Sequence, residues 1–244
     1  MSGEWISDDG TNIRNNRQGK IEYIAVENAS VAGEAEILNT LVIPRQCTYQ
    51  VILSDGTVVH VNAESRLEYP VKFVGDERKV KLQGEAYFEV TKDTRPFVVC
   101  ANEVEIRVYG TKFNVNAYHK DWIETALVEG RVGVSWKNQE KILYPSQLSQ
   151  VDRITGEQLV THVNIEQYIS WISGYLRYDD DNLGKMMEDL ARWYGVDFTI
   201  RENSFSLSMK YATIKDILYA IQKKRVIALF SNKMSWARSG KRIL

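Results

Sequence analysis

Few side chains in this sequence have a type and spacing that suit chemistry, and each small set also has a plainer reading. Glu85 and Glu89 lie four residues apart in KVKLQGEAYFEV, Lys79 to Val90. A sugar-cleaving pair needs two carboxyls converging across a cleft at about 5 to 10 Å. Positions four apart on one strand are about 13 Å apart along the backbone, so the pair reads as a solvated face. His60, His119 and His162 are far apart, with no HExxH and no Cys/His spacing for zinc. Asp179-Asp180-Asp181-Asn182 lacks the glycine and distal glutamate of a calcium loop and reads as a helix cap. No GxSxG, Walker or GxGxxG loop occurs. The expectation is a chain without cofactor, metal or catalytic residues: not an enzyme.

Two further sets stay open. Cys47 and Cys100 have no CxxC partner; they are either small buried hydrophobes or one disulfide in an oxidising compartment. Trp171, Tyr175, Tyr178, Trp193 and Tyr194 crowd one stretch, either as core packing or as a recognition surface, since Trp, Tyr and Arg dominate interface hot spots.

The elements that would position these residues are easier to see. Val80, Leu82, Ala86, Phe88 and Val90 share one parity, with Lys79, Lys81, Gln83, Glu85, Tyr87 and Glu89 on the other. Period-two alternation predicts a strand with one face in a core and one in water, and Gly84 stands where it could bend. Ser54-Asp55-Gly56-Thr57 joins two short strands, and Asp-Gly tolerates the positive φ of a tight turn. Val104, Ile106 and Val108 alternate up to Gly110; Phe113, Val115 and Ala117 follow; Gly130 precedes Val132, Val134 and Trp136. Many short strands with turns every eight to twelve residues or so predict an all-β domain. Asp55, Gly56, Gly84, Gly110 and Gly130 are expected to hold its turns and bends.

Residues 1 to 40 are weakly patterned and read as a leading arm that adds an edge strand. Near Tyr168 the period changes. Leu183, Met186, Met187, Leu190 and Tyr194 mark one face of a helix closed by Gly195. Thr213, Ile214, Ile217, Leu218 and Ile221 predict a second helix. Strand-like runs flank both, at 175–178, 196–200, 205–209 and 226–230, which suggests a small α+β domain of two β-α-β units. The expected layout is a β domain over 41–150 and the α+β domain over 165–244, with the boundary between Gln150 and Asn164.

The 244 residues are 44% hydrophobic and 26% charged with a formal net charge of −1, ordinary for a globular protein and without the basic footprint of nucleic-acid binding. No run approaches a membrane span.

The ordered set LSDGTVVHVNAESRLEYPVKF, RKVKLQGEAYFEV, RPFVV, VYGTKFNVNAY and ALVEGRVGV resembles the FecR domain of anti-sigma regulators. WISGYLRYDDDNLGKMMEDLARWYGVDF resembles the small STN-like domain that follows it in Bacteroidetes. One departure is Gln46, where the family usually has glycine after Pro-Arg. The resemblance implies a periplasmic, signal-receiving portion of an inner-membrane anti-sigma factor. Its partners would be the signalling domain of a TonB-dependent outer-membrane transducer and an extracytoplasmic-function sigma factor. The sigma factor would be held through a cytoplasmic segment, and the membrane met only through a helix, both absent from this chain. Tyr175, Arg177 and Tyr178, flanking Leu176 on an expected strand, are the candidate docking residues. The rival reading is a secreted glycan-binding or glycan-processing β domain; a purely structural surface protein is a third.

Overall fold

The computed structural model describes residues 3–6, 12–15, 20–24, 37–137, 139–177, 183–195, 197–201, 204–208 and 229–230. The chain is mainly β. Its first strands are β1 (Gly3–Ile6), β2 (Asn12–Asn15), β3 (Lys20–Ile24), β4 (Leu38–Val42), β5 (Tyr49–Ile52), β6 (Val58–Val61) and β7 (Arg66–Pro70). Next come β8 (Arg78–Glu89), β9 (Phe97–Ala101), β10 (Val104–Val108), β11 (Lys112–Ala117) and β12 (Trp122–Glu129). The β region ends with β13 (Val132–Trp136), β14 (Gln139–Leu143), β15 (Gln147–Asp152) and β16 (Gln158–His162).

The long strand β8 belongs to two sheets. Its first half pairs with β7, antiparallel, and with β9, parallel, the latter from Arg78↔Phe97 to Leu82↔Ala101. Its second half pairs with β6 and β11, both antiparallel, the latter from Ala117↔Gly84 to Lys112↔Glu89. One sheet therefore runs β4-β7-β8-β9-β10-β13-β14 and the other β1-β2-β3-β5-β6-β8-β11-β12-β15-β16. The leading arm supplies three strands to the second sheet, joined through the parallel pair β3–β5.

Gly84 stands at the crossover, with φ +90°. A Cβ there would lie 2.4 Å from Ser65 Oγ and 2.8 Å from Ser65 Cα. Both the backbone angle and the close approach exclude a side chain. The core lies between the sheets: Phe88 of β8 packs on Phe113 of β11, ring centroids 5.1 Å apart, and on Phe97 of β9 at 6.0 Å.

The alternation within β8 differs from the sequence expectation in its second half. Lys79, Lys81 and Gln83 are exposed, but from Gly84 to Phe88 every residue is buried, including Glu85 and Tyr87, each 7% exposed. The second sheet is covered on both faces there, so parity no longer separates core from water.

The chain divides into two compact units, residues 1–44 with 48–177 and residues 45–47 with 178–244. The stretch 150–164, expected as the boundary, instead carries the β15–β16 hairpin, with Gln150 opposite Leu159. Gln158 is buried there and donates from Nε2 to Val134 O and Ser149 Oγ, so the hairpin is part of the β core. A one-turn helix α1 (Glu166–Ile169) and a 3-10 turn (Ser170–Ser173) follow.

In the second unit α2 (Leu183–Tyr194) buries Met186, Met187, Leu190 and Ala191. Gly195 follows with φ +61°, the left-handed position of a C-terminal cap. Strands β17 (Asp197–Arg201) and β18 (Ser204–Ser208) form an antiparallel pair, and β19 (Leu229–Phe230) joins β18 in parallel. The expected second helix around Thr213 and Ile214 to Ile221, and Asp179 to Asn182, lie outside the described residues. The expected strand at 175–178 does not form over Tyr175–Arg177. Gly174 turns left-handed at φ +81°, and the Tyr175 N–H caps the 3-10 turn by donating to Ser170 O at 3.2 Å. That donor is thereby withdrawn from any ladder.

Candidate functional site

Glu85, expected on a solvated face, is the centre of a buried polar cluster on the second sheet. Its carboxylate accepts from Asn62 Nδ2 at 2.7 Å, Asn114 Nδ2 at 2.8 Å and Asn116 Nδ2 at 3.4 Å. The Glu85 N–H donates to Ser65 Oγ at 2.9 Å, and the Asn62 N–H donates to Glu85 O at 2.9 Å. Tyr118 reaches the same corner, its hydroxyl donating to Ala63 O and lying 3.1 Å from Ser65 Oγ. Cross-strand register places these groups together: Asn116 opposite Glu85, and Ala117 opposite Gly84. A buried carboxylate must be met by donors, and the amides of β11 and of Asn62, the residue after β6, do so here.

Glu89 goes elsewhere, to Lys112 Nζ at 3.2 Å and His60 Nε2 at 3.6 Å. With one carboxylate buried among amides and the other paired at the surface, the two do not converge on a cleft. That removes the glycosidase reading of this pair. Tyr87, between them, has its phenol pushed up to about 12, first by burial and then by the charges of Glu89 and Glu129.

A second cluster sits at the start of β8. Arg78 is fully buried, and its Nη1 lies 2.6 Å from Asp55 Oδ2 and donates to Thr91 O at 3.0 Å. Its Nε and Nη2 donate to Arg95 O, and the guanidinium stands 5.5 Å from the Phe97 ring centroid. Asp55 also accepts from the Thr57 N–H at 3.0 Å and the Thr57 hydroxyl at 2.7 Å. The Asp-Gly turn, with Gly56 at φ +81°, is thus bonded to a strand 23 residues away. Sequence reasoning missed Arg78; the one signal was a charged residue opening an otherwise regular strand.

The other turn glycines are Gly110, φ +151° after β10, and Gly130, φ +97° after β12. They are neighbours, since a Cβ on Gly130 would lie 3.2 Å from Gly110 O. Cys47 and Cys100 are both free thiols and both half-buried. Burial pushes the Cys100 thiol up, while Lys79, itself bonded to Glu105 at 2.9 Å, opposes the shift. Among the described residues no cluster suits a metal, and no helix is long and apolar enough to cross a membrane.

The aromatic group divides. Trp171 is buried within the β unit, and its Nε1–H donates to Asn114 Oδ1 at 3.3 Å, which extends the Glu85 cluster. Trp193 and Tyr194 are half-buried on α2. Tyr175 is 71% exposed and Arg177 is also exposed, with Leu176 half-buried between them; Tyr178 lies outside the described residues.

The family model described as "FecR protein" matches residues 39–133, and the one described as "FecR, C-terminal" matches residues 175–229. The chain belongs to the FecR family. Two crystal structures of a candidate anti-sigma factor from Parabacteroides distasonis, at 2.50 Å and 1.65 Å resolution, are similar to it. Each is 28% identical and has 92% of its own length covered. They cover 78% and 77% of this chain, with TM-scores of 0.70 and 0.69. No curated protein matches the chain. Gln46 adopts a left-handed φ of +66°, the region that favours glycine. Its N–H donates to Arg192 O at 2.9 Å, at the end of α2.

Proposed function

We propose that this FecR-family protein is the periplasmic, signal-receiving portion of an anti-sigma factor. A transducer signalling domain from a TonB-dependent outer-membrane protein docks on the exposed stretch that opens the C-terminal match. The sigma factor is held through a cytoplasmic segment outside this sequence, joined by a membrane helix. The observation that carries the reading is the pairing of both FecR family models in one chain with likeness to a candidate anti-sigma factor over three quarters of its length. Tyr175 and Arg177, exposed where that second match begins, offer the aromatic-plus-arginine chemistry of interface hot spots. Regulation by docking needs no catalytic group, in keeping with carboxylates that are committed to structural bonds.

A transcriptional reporter driven by the cognate sigma factor tests the role. Removal of the full-length gene should change reporter output and uncouple it from the transducer's ligand. Output that is unchanged, and still follows the ligand, would contradict the reading.

A further inference from the structure

We propose that β4 is the edge through which two copies of this chain pair, antiparallel and about a two-fold axis at Thr40, joining their first sheets into one. Among the described residues β4 pairs only with β7 and forms one edge of that sheet. The Ile43 N–H donates to Ser65 O at 2.8 Å and the Val71 N–H to Ile37 O at 2.9 Å. Bonded and unbonded pairs alternate along an antiparallel ladder, so Ile37, Asn39, Leu41 and Ile43 turn their backbone groups to β7. Leu38, Thr40 and Val42 turn theirs outward. The same three residues carry the exposed side chains of the strand, with Leu38 at 52% and Val42 at 61%.

An outward ladder lined by aliphatic side chains is an edge that pairs, and folded chains usually guard against it with charge. The other edges here carry that guard. β1 contains Glu4, and β14 contains Glu140 and Lys141, both exposed. On β16, the Gln158 carbonyl accepts from Lys141 Nζ. β4, Leu-Asn-Thr-Leu-Val, contains no charged residue. Its pattern is also its own complement. Pairing about Thr40 sets Leu38 against Val42 of the second copy and Thr40 against its own equivalent, both favourable cross-strand pairs. The three outward residues then form three bonded pairs, and the two-fold contact closes after two copies. A foreign strand would need its own match to this pattern, whereas a second copy supplies it by symmetry. One strand pairing buries less than a standard interface of about 1,600 Å², so the dimer is a weak one.

Sedimentation equilibrium of the whole 244-residue chain tests the pairing. The average mass should climb from that of one chain toward that of two as concentration rises to about 1 mM. Thr40→Pro removes one outward N–H per copy and leaves the bonds to β7 in place. It should weaken association by about tenfold or more, for two hydrogen bonds lost. Val42→Lys puts charge on the edge without touching the backbone and should weaken association as well, while Ile142→Lys on the opposite edge should not. Register is read by diamide oxidation in a chain with Cys47→Ser and Cys100→Ser. Symmetry sets the two Thr40 positions about 5.5 Å apart and the two Leu38 positions about 14 Å apart, so Thr40→Cys should link the copies and Leu38→Cys should not. Any of three results would overturn the proposal: the mass of one chain at every concentration, association untouched by both Thr40→Pro and Val42→Lys, or Thr40→Cys linking no better than Leu38→Cys.

Discussion

The two halves of β8 are continuous in sequence and opposite in environment. From Arg78 to Gln83 exposed and buried residues alternate; from Gly84 to Phe88 none is exposed. Each half also carries a buried charge, met differently. Arg78 is paired with a carboxylate and three sets of carbonyl or ring contacts, whereas Glu85 is held by side-chain amides and a serine hydroxyl. The comparison teaches that a strand shared by two sheets needs a fixed polar group on each side of its bend. One pins the Asp55 turn and the other pins β11 and the residue that follows β6.

The largest expected effect comes from removing the charge partner in the first half. Arg78→Ala leaves Asp55 buried without its guanidinium and should cost about 3 to 5 kcal/mol in urea unfolding, the usual loss for a broken buried pair. A cost near that of a surface residue would show that the turn relaxes into water.

At the bend itself, Gly84→Ala should cost about 2 to 4 kcal/mol, from an unfavourable φ and the clash with Ser65. Gly75→Ala is the control: its φ of +87° is similar, but nothing lies within 4 Å of the added carbon. It should cost about 1 kcal/mol. Equal losses would mean that close approach to Ser65 contributes nothing.

In the second half, Glu85→Gln turns an amide N–H toward the Asn donors and should cost about 1 to 3 kcal/mol. Glu89→Gln, four residues on, should cost less than about 1 kcal/mol, because its ion pairs are half-exposed. If the two changes were equal, the buried cluster would be no firmer than the surface pairs.

The smallest effect is electrostatic and lies in the loop before β9. Asp93 is held down at about 2, first by the Arg95 backbone N–H and then by that residue's guanidinium. A depressed carboxyl stabilises above its unfolded value of about 3.8, and the contribution is lost as pH falls through about 2. Unfolding midpoints of Asp93→Asn should therefore converge on those of the native chain toward pH ~2. A gap that widens on acidification would reverse the sign.

The strands of the β unit were legible in the sequence because one face of most of them meets water, and alternation then maps onto burial. The same rule puts Glu85 and Tyr87 in water, where they are buried, since it has no way to see a second covered face. Gln158 hid the β15–β16 hairpin for a related reason: a buried glutamine looks like a surface residue until Val134 O and Ser149 Oγ are in place. Trp171 stands close in sequence to Tyr175, Tyr178, Trp193 and Tyr194, but a bond across 57 residues places it in the β unit. Tyr175 to Arg177 looked strand-like in composition, and the left-handed Gly174 just before them ends that option.

The central claim is that this chain receives a signal by docking, and calorimetric titration with the transducer's signalling domain tests it most directly. The native chain should bind, and Arg177→Glu should weaken binding by more than about 1 kcal/mol while leaving the melting temperature almost unchanged. Absence of binding by the native chain, or an affinity untouched by Arg177→Glu, would contradict the account.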